Sequence, residues 1–363
     1  MAPPGDAVNV VLSCVRNPDF EALPDYLAAA LLRLGHRVTL FDHRRGLVPG
    51  RLRRALPGLE AFDRQKLNQS FVRAVRRARA DLVVVNQGMR LLPETIRALR
   101  SSGVRCINWF SDYPAEFELG LFAAPAYDAF YLGSSFAAAR HREAGHTQAA
   151  WLPFACDPEV HRPPLQGDPP PPRPPAGRVV LVGSHYPERQ VLLRYLAGLP
   201  VDVFGPGWER AQGDPHVAPM IRGGALRPAA WRGLFSGAAA VLNIHYGAFG
   251  PVAASGEMAN TRLFEVAACG GAQVVDRRAD VLQLFRDGEE IAGFSSGDEL
   301  RAQVTSLLAD PDRGRRLGRA ARARALASHT YLDRARVLLG EAATPACDAD
   351  TKAPLRHASA GGA

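Results

Sequence analysis

Two glutamates, Glu257 and Glu265, are separated by seven residues in the stretch 241–276. The second falls in a segment, 260–269, in which Leu263, Phe264, Ala267 and Ala268 recur at helical spacing. Such a helix starts near Asn260 or Thr261, both good N-caps. Its unpaired N–H groups and positive dipole end make a site for phosphate. Arg262 stands in the first turn, where a cation opposes the dipole. A bound diphosphate would account for it, because a guanidinium matches phosphate geometry. Glu265, one turn into the helix, could accept two hydrogen bonds from a ribose diol, and Glu257 could reach sugar hydroxyls beyond the diphosphate. Either glutamate alone reads as part of a solvated helix face. Together with Asn260, Thr261 and Arg262 they point to a nucleoside-diphosphate sugar.

A second loop carries the same chemistry. Gly183 and Ser184 follow an apolar run and precede a helix opening at Pro187, with Arg189 in its first turn. An arginine near each of two helix starts strengthens the diphosphate reading, although a surface salt bridge would explain Arg189 equally well. Candidates for proton transfer are fewer. Asp112 follows an apolar strand amid aromatic residues and could act as a general base if burial raised its pKa. It could equally cap a helix beginning near Pro114, the more frequent role of such an aspartate. His245 follows the strand that leads into the Glu257 loop, and Glu257 itself completes the catalytic candidates. A lone histidine there is more often an orienting hydrogen-bond partner.

These loops need a frame that brings them together. Apolar runs at 8–14, 37–41, 81–85, 104–109, 127–132 and 149–152 read as strands, alternating with helical segments at 20–34, 64–79 and 93–100. Wholly apolar strands alternating with helices indicate a parallel sheet covered on both faces. Residues 163–177, a run rich in proline, are extended and mark a boundary. The alternation then restarts, with strands at 179–182, 201–204, 241–244, 272–275 and 290–294. Helices are expected at 187–197, 228–235, 260–269, 299–308 and 312–340. The reading is an N-terminal domain over 1–160, a proline-rich linker over 161–177, a C-terminal domain over 178–341 whose last helices could pack back on the first, and a disordered tail over 342–363. Two such sheets face a central cleft, and ligands in open α/β sheets bind outside the carboxyl ends of the strands.

The bulk properties fit a soluble chain of 363 residues with 47% apolar and 22% charged residues. The formal charge of +8 invites a nucleic-acid reading. Of the 44 basic residues, however, only Lys66 and Lys352 are lysine, which points to coding bias rather than to a specific nucleic-acid partner. Arginine clusters at 44–54 and 73–79 could meet an anionic acceptor or a membrane surface, and a solvated basic face is the blander reading. The five cysteines are scattered and show no metal-binding spacing. No signal peptide or membrane span is expected, so the chain is read as cytoplasmic.

With these residues in hand, the chain resembles a GT-B glycosyltransferase, and within that group the CgeB-like (spore-maturation-protein-type) members of glycosyltransferase group 1. The likeness lies in the Glu257/Glu265 pair, the run Asn260, Thr261, Arg262, Leu263, Phe264, Glu265 with Ala268, Cys269 and Gly270 after it, and Val182, Gly183 and Ser184 with Arg189. It extends to residues 109–114 and to the closing segment from Leu307 through Tyr331. The resemblance implies two Rossmann-like parallel-sheet domains, with a nucleotide-diphosphate sugar on the C-terminal one and an acceptor (glycan, small molecule or protein) on the N-terminal one. It implies neither a cofactor nor an essential metal, and it tilts towards retention of configuration. Residues 13–18 lack the glycine-rich turn that many relatives carry after the first strand, which leaves acceptor contacts in that loop open. A nucleotide-sugar epimerase or hydrolase, or a non-catalytic sugar-nucleotide-binding protein, remain the alternatives.

Overall fold

In a computed structural model of the chain, residues 7–17, 21–44, 46, 48, 57–111, 122–247 and 257–343 are described. The first half builds β1 (Asn9–Cys14), α1 (Leu23–Arg33), β2 (Arg37–Asp42), α2 (Pro57–Arg77), β3 (Leu82–Asn86), α3 (Pro93–Ser101), β4 (Arg105–Phe110), β5 (Ala129–Leu132), α4 (Ser135–Glu143) and β6 (Ala149–Trp151). The second half builds β7 (Val179–Val182), α5 (Pro187–Arg194), β8 (Val201–Phe204), β9 (Ile221–Gly223), α6 (Pro228–Gly237), β10 (Ala240–Asn243), α7 (Thr261–Ala268), β11 (Gln273–Asp276), α8 (Ala279–Leu284), β12 (Ala292–Phe294), α9 (Gly297–Ala309), α10 (Pro311–Ser328) and α11 (Tyr331–Leu339).

Among the described residues these strands form two six-stranded parallel sheets, ordered β2-β1-β3-β4-β5-β6 and β12-β11-β10-β7-β8-β9. The period of two along a strand divides the second core cleanly. Val179 and Leu181 face the layer that holds Leu300, Val304 and Leu307, whereas Val180 and Val182 face Trp231, Leu234 and Phe235. In each sheet the strand order reverses beside the first strand, between β1 and β3 in one and between β7 and β10 in the other. Loops leaving neighbouring strands at such a reversal diverge and open a crevice.

The segment expected as one helix over 312–340 is two. It breaks at His329, and Thr330 restarts it as the N-cap of α11, sharing reciprocal hydrogen bonds with Asp333. That break is where the chain returns to the N-terminal domain. Tyr331, Ala335 and Leu338 join the core of the first sheet, and Arg105 Nη1 donates to Leu339 O at 2.8 Å. The two crossings between domains lie side by side, since Cys156 N donates to His329 O and Tyr331 N donates to Cys156 O, both at 2.9 Å. Arg334, 1% exposed, donates to Pro153 O, Phe154 O and Ser328 O and so fastens both crossings.

The proline-rich stretch does not hang free. A Cβ on Gly233 would lie 3.2 Å from the Pro171 ring, and one on Gly237 would lie 2.6 Å from Pro175. The two glycines, four residues apart on one face of α6, let the prolines lie on the helix backbone. Arg173 and Arg178 both pair with the buried Asp202 of β8. Seam contacts come from α7 and α8 as well, because Leu263, Phe264, Val281 and Leu284 share one core with the N-terminal sheet. Among the described residues no helix is long and apolar enough to cross a membrane, and the four described cysteines are free and buried.

Candidate functional site

The crevice between β7 and β10 is built by local chain chemistry. Gly183 leaves β7, and a Cβ there would sit 2.8 Å from Arg189 Nη1. Gly205, at φ +146, abuts Gly183 O so closely that only glycine fits. The space is used by Arg189, whose Nε donates to Ile244 O and whose Nη1 donates to Ser184 O, each at 2.7 Å. Its guanidinium lies 4.8 Å from the Tyr186 ring centroid. Burial lowers its pKa to about 10, so it stays cationic at neutral pH. Among the described residues it makes no ion pair with a carboxylate. A held cation that no carboxylate among the described residues pairs with directly, at the carboxyl end of two strands, favours an anionic ligand.

The start of α7 completes this crevice. Asn260 caps the helix, its Oδ1 accepting from Leu263 N at 3.1 Å, and its amide is fixed by Asn243 at 2.8 Å, which in turn bonds Gln273. Ser184, Arg189, Asn260, Thr261 and Arg262 line a cavity of about 280 Å³. A second cavity, of about 290 Å³, shares Gly183, Ser184, Thr261 and Arg262 and continues past Glu265, Trp231 and Pro206 to Tyr26 of the N-terminal domain. Arg262 lies over Trp231 and Phe235, 5.3 and 5.1 Å from their ring centroids. Its Nη1 is 2.8 Å from Glu265 Oε2, yet this buried N–H group lacks a hydrogen bond of good geometry. Glu265, which lines the second cavity, is thus engaged by Arg262 through Oε2, and its Oε1 lies 4.0 Å from His161 Nε2. Trp231 and Tyr26 give the cavity an aromatic wall, and the buried His161 backs it, stacked on Trp231 and edge-on to Tyr26.

His245, a proton-transfer candidate at a position where an orienting role is the more frequent one, is held by hydrogen bonds on both sides. It is buried, its Nε2 accepts from Asn260 N at 3.1 Å, and its Nδ1 lies 2.7 Å from Asp276 Oδ1. An N–H group pointing at Nε2 puts the proton on Nδ1, which donates to Asp276. Burial lowers the pKa of His245, against the pull of Asp276, and keeps this neutral tautomer. Both nitrogens are therefore occupied, and the ring acts as a brace that ties β10, β11 and the cap of α7 together. Asp276 is held below the usual carboxylate range, burial being outweighed by His245 and by Arg278 at 2.7 Å.

Glu257 is also drawn away from the two cavities. Its Oε2 accepts from Ala279 N at 2.7 Å and so caps α8. Asp112 lies outside the described residues. Among the described residues no group of three or more His, Cys, Asp or Glu side chains is placed to hold a metal ion. The structure thus gathers Gly183, Ser184, Arg189, Asn260, Thr261, Arg262 and Glu265 in one crevice and leaves His245 and Glu257 as supports. Tyr26 and Trp231 line the second cavity only through packing between distant segments, with His161 and Asp276 behind the residues that line the two cavities, which no local sequence signal reveals.

Comparison with known proteins bears on the fold. Residues 179–340 match the family model described as glycosyl transferase-like. No curated protein matches the sequence. Among solved structures, the chain is similar to sucrose-phosphate synthase from Thermosynechococcus elongatus, with a TM-score of 0.63 and 16% identity over 92% of this chain and 97% of that one. It is similar to Anabaena HepE in complex with UDP-glucose, with a TM-score of 0.59 and 12% identity over 92% and 98%. It is also similar to a putative UDP-N-acetylglucosamine 2-epimerase from Listeria monocytogenes, with a TM-score of 0.54 and 12% identity over 93% and 99%. The chain therefore has the GT-B fold of the glycosyltransferases it is similar to, and its residues 179–340 match a glycosyl transferase-like family model.

Proposed function

We propose that this chain is a glycosyltransferase that moves a sugar from a nucleoside-diphosphate sugar to an acceptor entering from the N-terminal domain. The observation that carries the reading is Arg189, a cation fixed by two backbone carbonyls, without a carboxylate partner among the described residues, beside the start of α7. Departure of a nucleoside diphosphate builds negative charge at that spot. Fixed donors aimed at developing charge are the largest single contribution in such reactions. Arg189, the N–H groups of α7 and the under-used Nη1 of Arg262 are such donors. They supply the counter-charge themselves, so in this reading the transfer runs without a metal. Glu265 holds the ribose from the next turn, and Trp231 and Tyr26, which line the same cavity, flank the nucleoside. The Glu257/Glu265 spacing inclines the reading to retention, and Asp112 remains the acid–base candidate on sequence grounds. The complex of HepE with UDP-glucose supports a nucleotide-sugar donor.

The likeness to a putative 2-epimerase favours one other reading, a nucleotide-sugar epimerase or hydrolase. The test is calorimetric and thermal-shift titration with a panel of nucleoside diphosphates and their sugars, followed by a nucleoside-diphosphate release assay. A native-state ligand at a hundredfold excess over its Kd raises stability by ~2.7 kcal/mol. Release that requires an acceptor supports transfer, and EDTA leaves it unchanged. Release or isomerisation without acceptor assigns the epimerase or hydrolase reading, and no binding by any member of the panel sinks both.

A further inference from the structure

Beside the crevice, the two domains touch through side chains that the donor reading leaves unused. Asp280, in the first turn of α8, is fully buried, and its carboxylate reaches the other domain. Its Oδ2 accepts from Ser135 N at 3.1 Å and its Oδ1 accepts from Ser135 Oγ. Ser135 is the first residue of α4, and the N-cap Ser134 already accepts from Ala137 N at 3.3 Å. The start of α4 is therefore capped twice, once by its own chain and once from across the seam. An acidic group at a helix start is stabilised by the unpaired N–H groups there.

Glu257 belongs to the same arrangement. Its Oε2 accepts from Ala279 N at 2.7 Å, and its backbone O accepts from Asp280 N at 3.2 Å. The next residue, Met258, leans on the N-terminal domain at Gly133, where a Cβ would sit 3.1 Å from Met258 Sδ and 3.1 Å from Ser111 O. Glu257 is thus held between the helix that carries Asp280 and the strand end that precedes Ser135. Capping within one domain would not require burying a carboxylate at the seam. Burial pushes the Asp280 carboxyl up to about 7; the bonds from Ser135 and the charge of Arg278 oppose this, and Glu257 adds to it.

We propose that Asp280 and Ser135 form a latch across the cleft that fixes the two domains, and Glu257 between them, in the arrangement in which transfer takes place. Asp280 is then a positioning residue, and its part in transfer rests on the reaction proposed above.

The test compares the full-length protein with Asp280→Ala, Asp280→Asn and Ser135→Ala. Amide hydrogen exchange reads the latch without any substrate. Asp280→Ala should speed exchange over 135–143 by about tenfold, the equivalent of one hydrogen bond, and leave the C-terminal sheet unchanged. Ser135→Ala should act in the same direction. Asp280→Asn should restore protection, because its amide oxygen accepts from Ser135 N and its NH₂ donates to Ser135 Oγ. In turnover, Asp280→Ala and Ser135→Ala should lower kcat about tenfold, while the Kd for nucleoside diphosphate stays within about twofold. Unchanged exchange in folded Asp280→Ala, or an asparagine variant as unprotected as the alanine one, overturns the latch. If Asp280→Ala does not fold, unchanged exchange in Ser135→Ala does so. Parallel losses in kcat and donor affinity overturn the positioning role. Should the unsubstituted protein turn over no nucleotide sugar with any acceptor, the transfer reading has failed and the exchange comparison alone decides the latch.

Discussion

Arg189→Met keeps the bulk of the side chain and removes its charge. In the structure the guanidinium gives two hydrogen bonds of 2.7 Å to Ile244 O and Ser184 O and has no ion pair among the described residues. A unit charge about 4 Å from a phosphate oxygen, at an effective dielectric constant of about 20, interacts by roughly 4 kcal/mol. Desolvation of both groups takes back part of this, leaving ~1.5–3 kcal/mol, typical of a hydrogen bond to a charged partner. The Kd for a nucleoside diphosphate should therefore rise about 10- to 150-fold. In the proposed reading the bare nucleoside occupies the Trp231 and Glu265 end of the cavity, so its Kd should stay within about twofold. Two carbonyls lose their donor, which costs about 1–2 kcal/mol of stability, partly offset by release of a buried cation. Calorimetry on both ligands, with a thermal melt of the variant, measures all three quantities. Equal losses for diphosphate and nucleoside would show that Arg189 does not touch phosphate and would refute the reasoning.

Glu265→Gln should weaken nucleotide binding at least about tenfold and leave the fold intact, and unchanged nucleoside-diphosphate affinity in a titration would remove its ribose role. His245→Ala strips the acceptor from Asn260 N and the donor from Asp276; chemical denaturation should show a loss of ~2–3 kcal/mol. Turnover per folded molecule should fall less than about tenfold, whereas a loss of ~10²–10⁴-fold at unchanged stability would mark an acid–base catalyst. Asp280 gives a pH signature whose sign follows from its raised pKa. Its folded carboxyl titrates at about 7, with Glu257, Arg278 and Ser135 facing it, and an unfolded aspartate titrates near ~3.9. The stabilisation is complete below about pH 4 and is lost as pH rises towards about 7, a swing of roughly 4 kcal/mol. Urea unfolding at several pH values should show this swing in the unsubstituted protein and a flatter profile in Asp280→Asn; identical profiles would show that Asp280 is not the group responsible.

The parts of this molecule legible in the sequence are those set by neighbouring residues. The four-residue apolar run of β7 is buried on both faces and announces itself. The helix starts beside Arg189 and Arg262 are legible because a helix start is a local feature, with proline or an Asn cap beside each. Helix α4 is not legible, because its sequence, from Ser135 to Glu143, has no apolar stripe. Strand β9, three residues at a sheet edge, is too short and too polar to show a period. The break at His329 carries a local signal, the Thr330 and Asp333 capping pair that follows an Arg/Ala-rich run. Packing between distant segments decided the rest. Nothing near His245 in the sequence reveals that Asp276 and Asn260 will take both its nitrogens, and nothing near Glu257 reveals that α8 will claim its carboxylate.

The seating of Pro171 and Pro175 on α6 has an entropic consequence for the whole molecule. Left free, the 15 residues from 163 to 177 would act as a tether, and as polyproline at ~3.1 Å per residue they would reach roughly 45 Å. Fixed along Gly233 and Gly237 and tied through Arg173 and Arg178 to Asp202, they add nothing to the separation the domains can attain. The domains are joined instead by two short crossings that hydrogen-bond to each other. Each domain is consequently presented to the other at the high effective concentration of a short link, so seam contacts of modest strength suffice to keep the cleft assembled. A protease cut within 163–177 should then leave a nicked chain that stays in one piece under native conditions, and separation of the fragments on native gel filtration would show that the stretch serves as a tether after all.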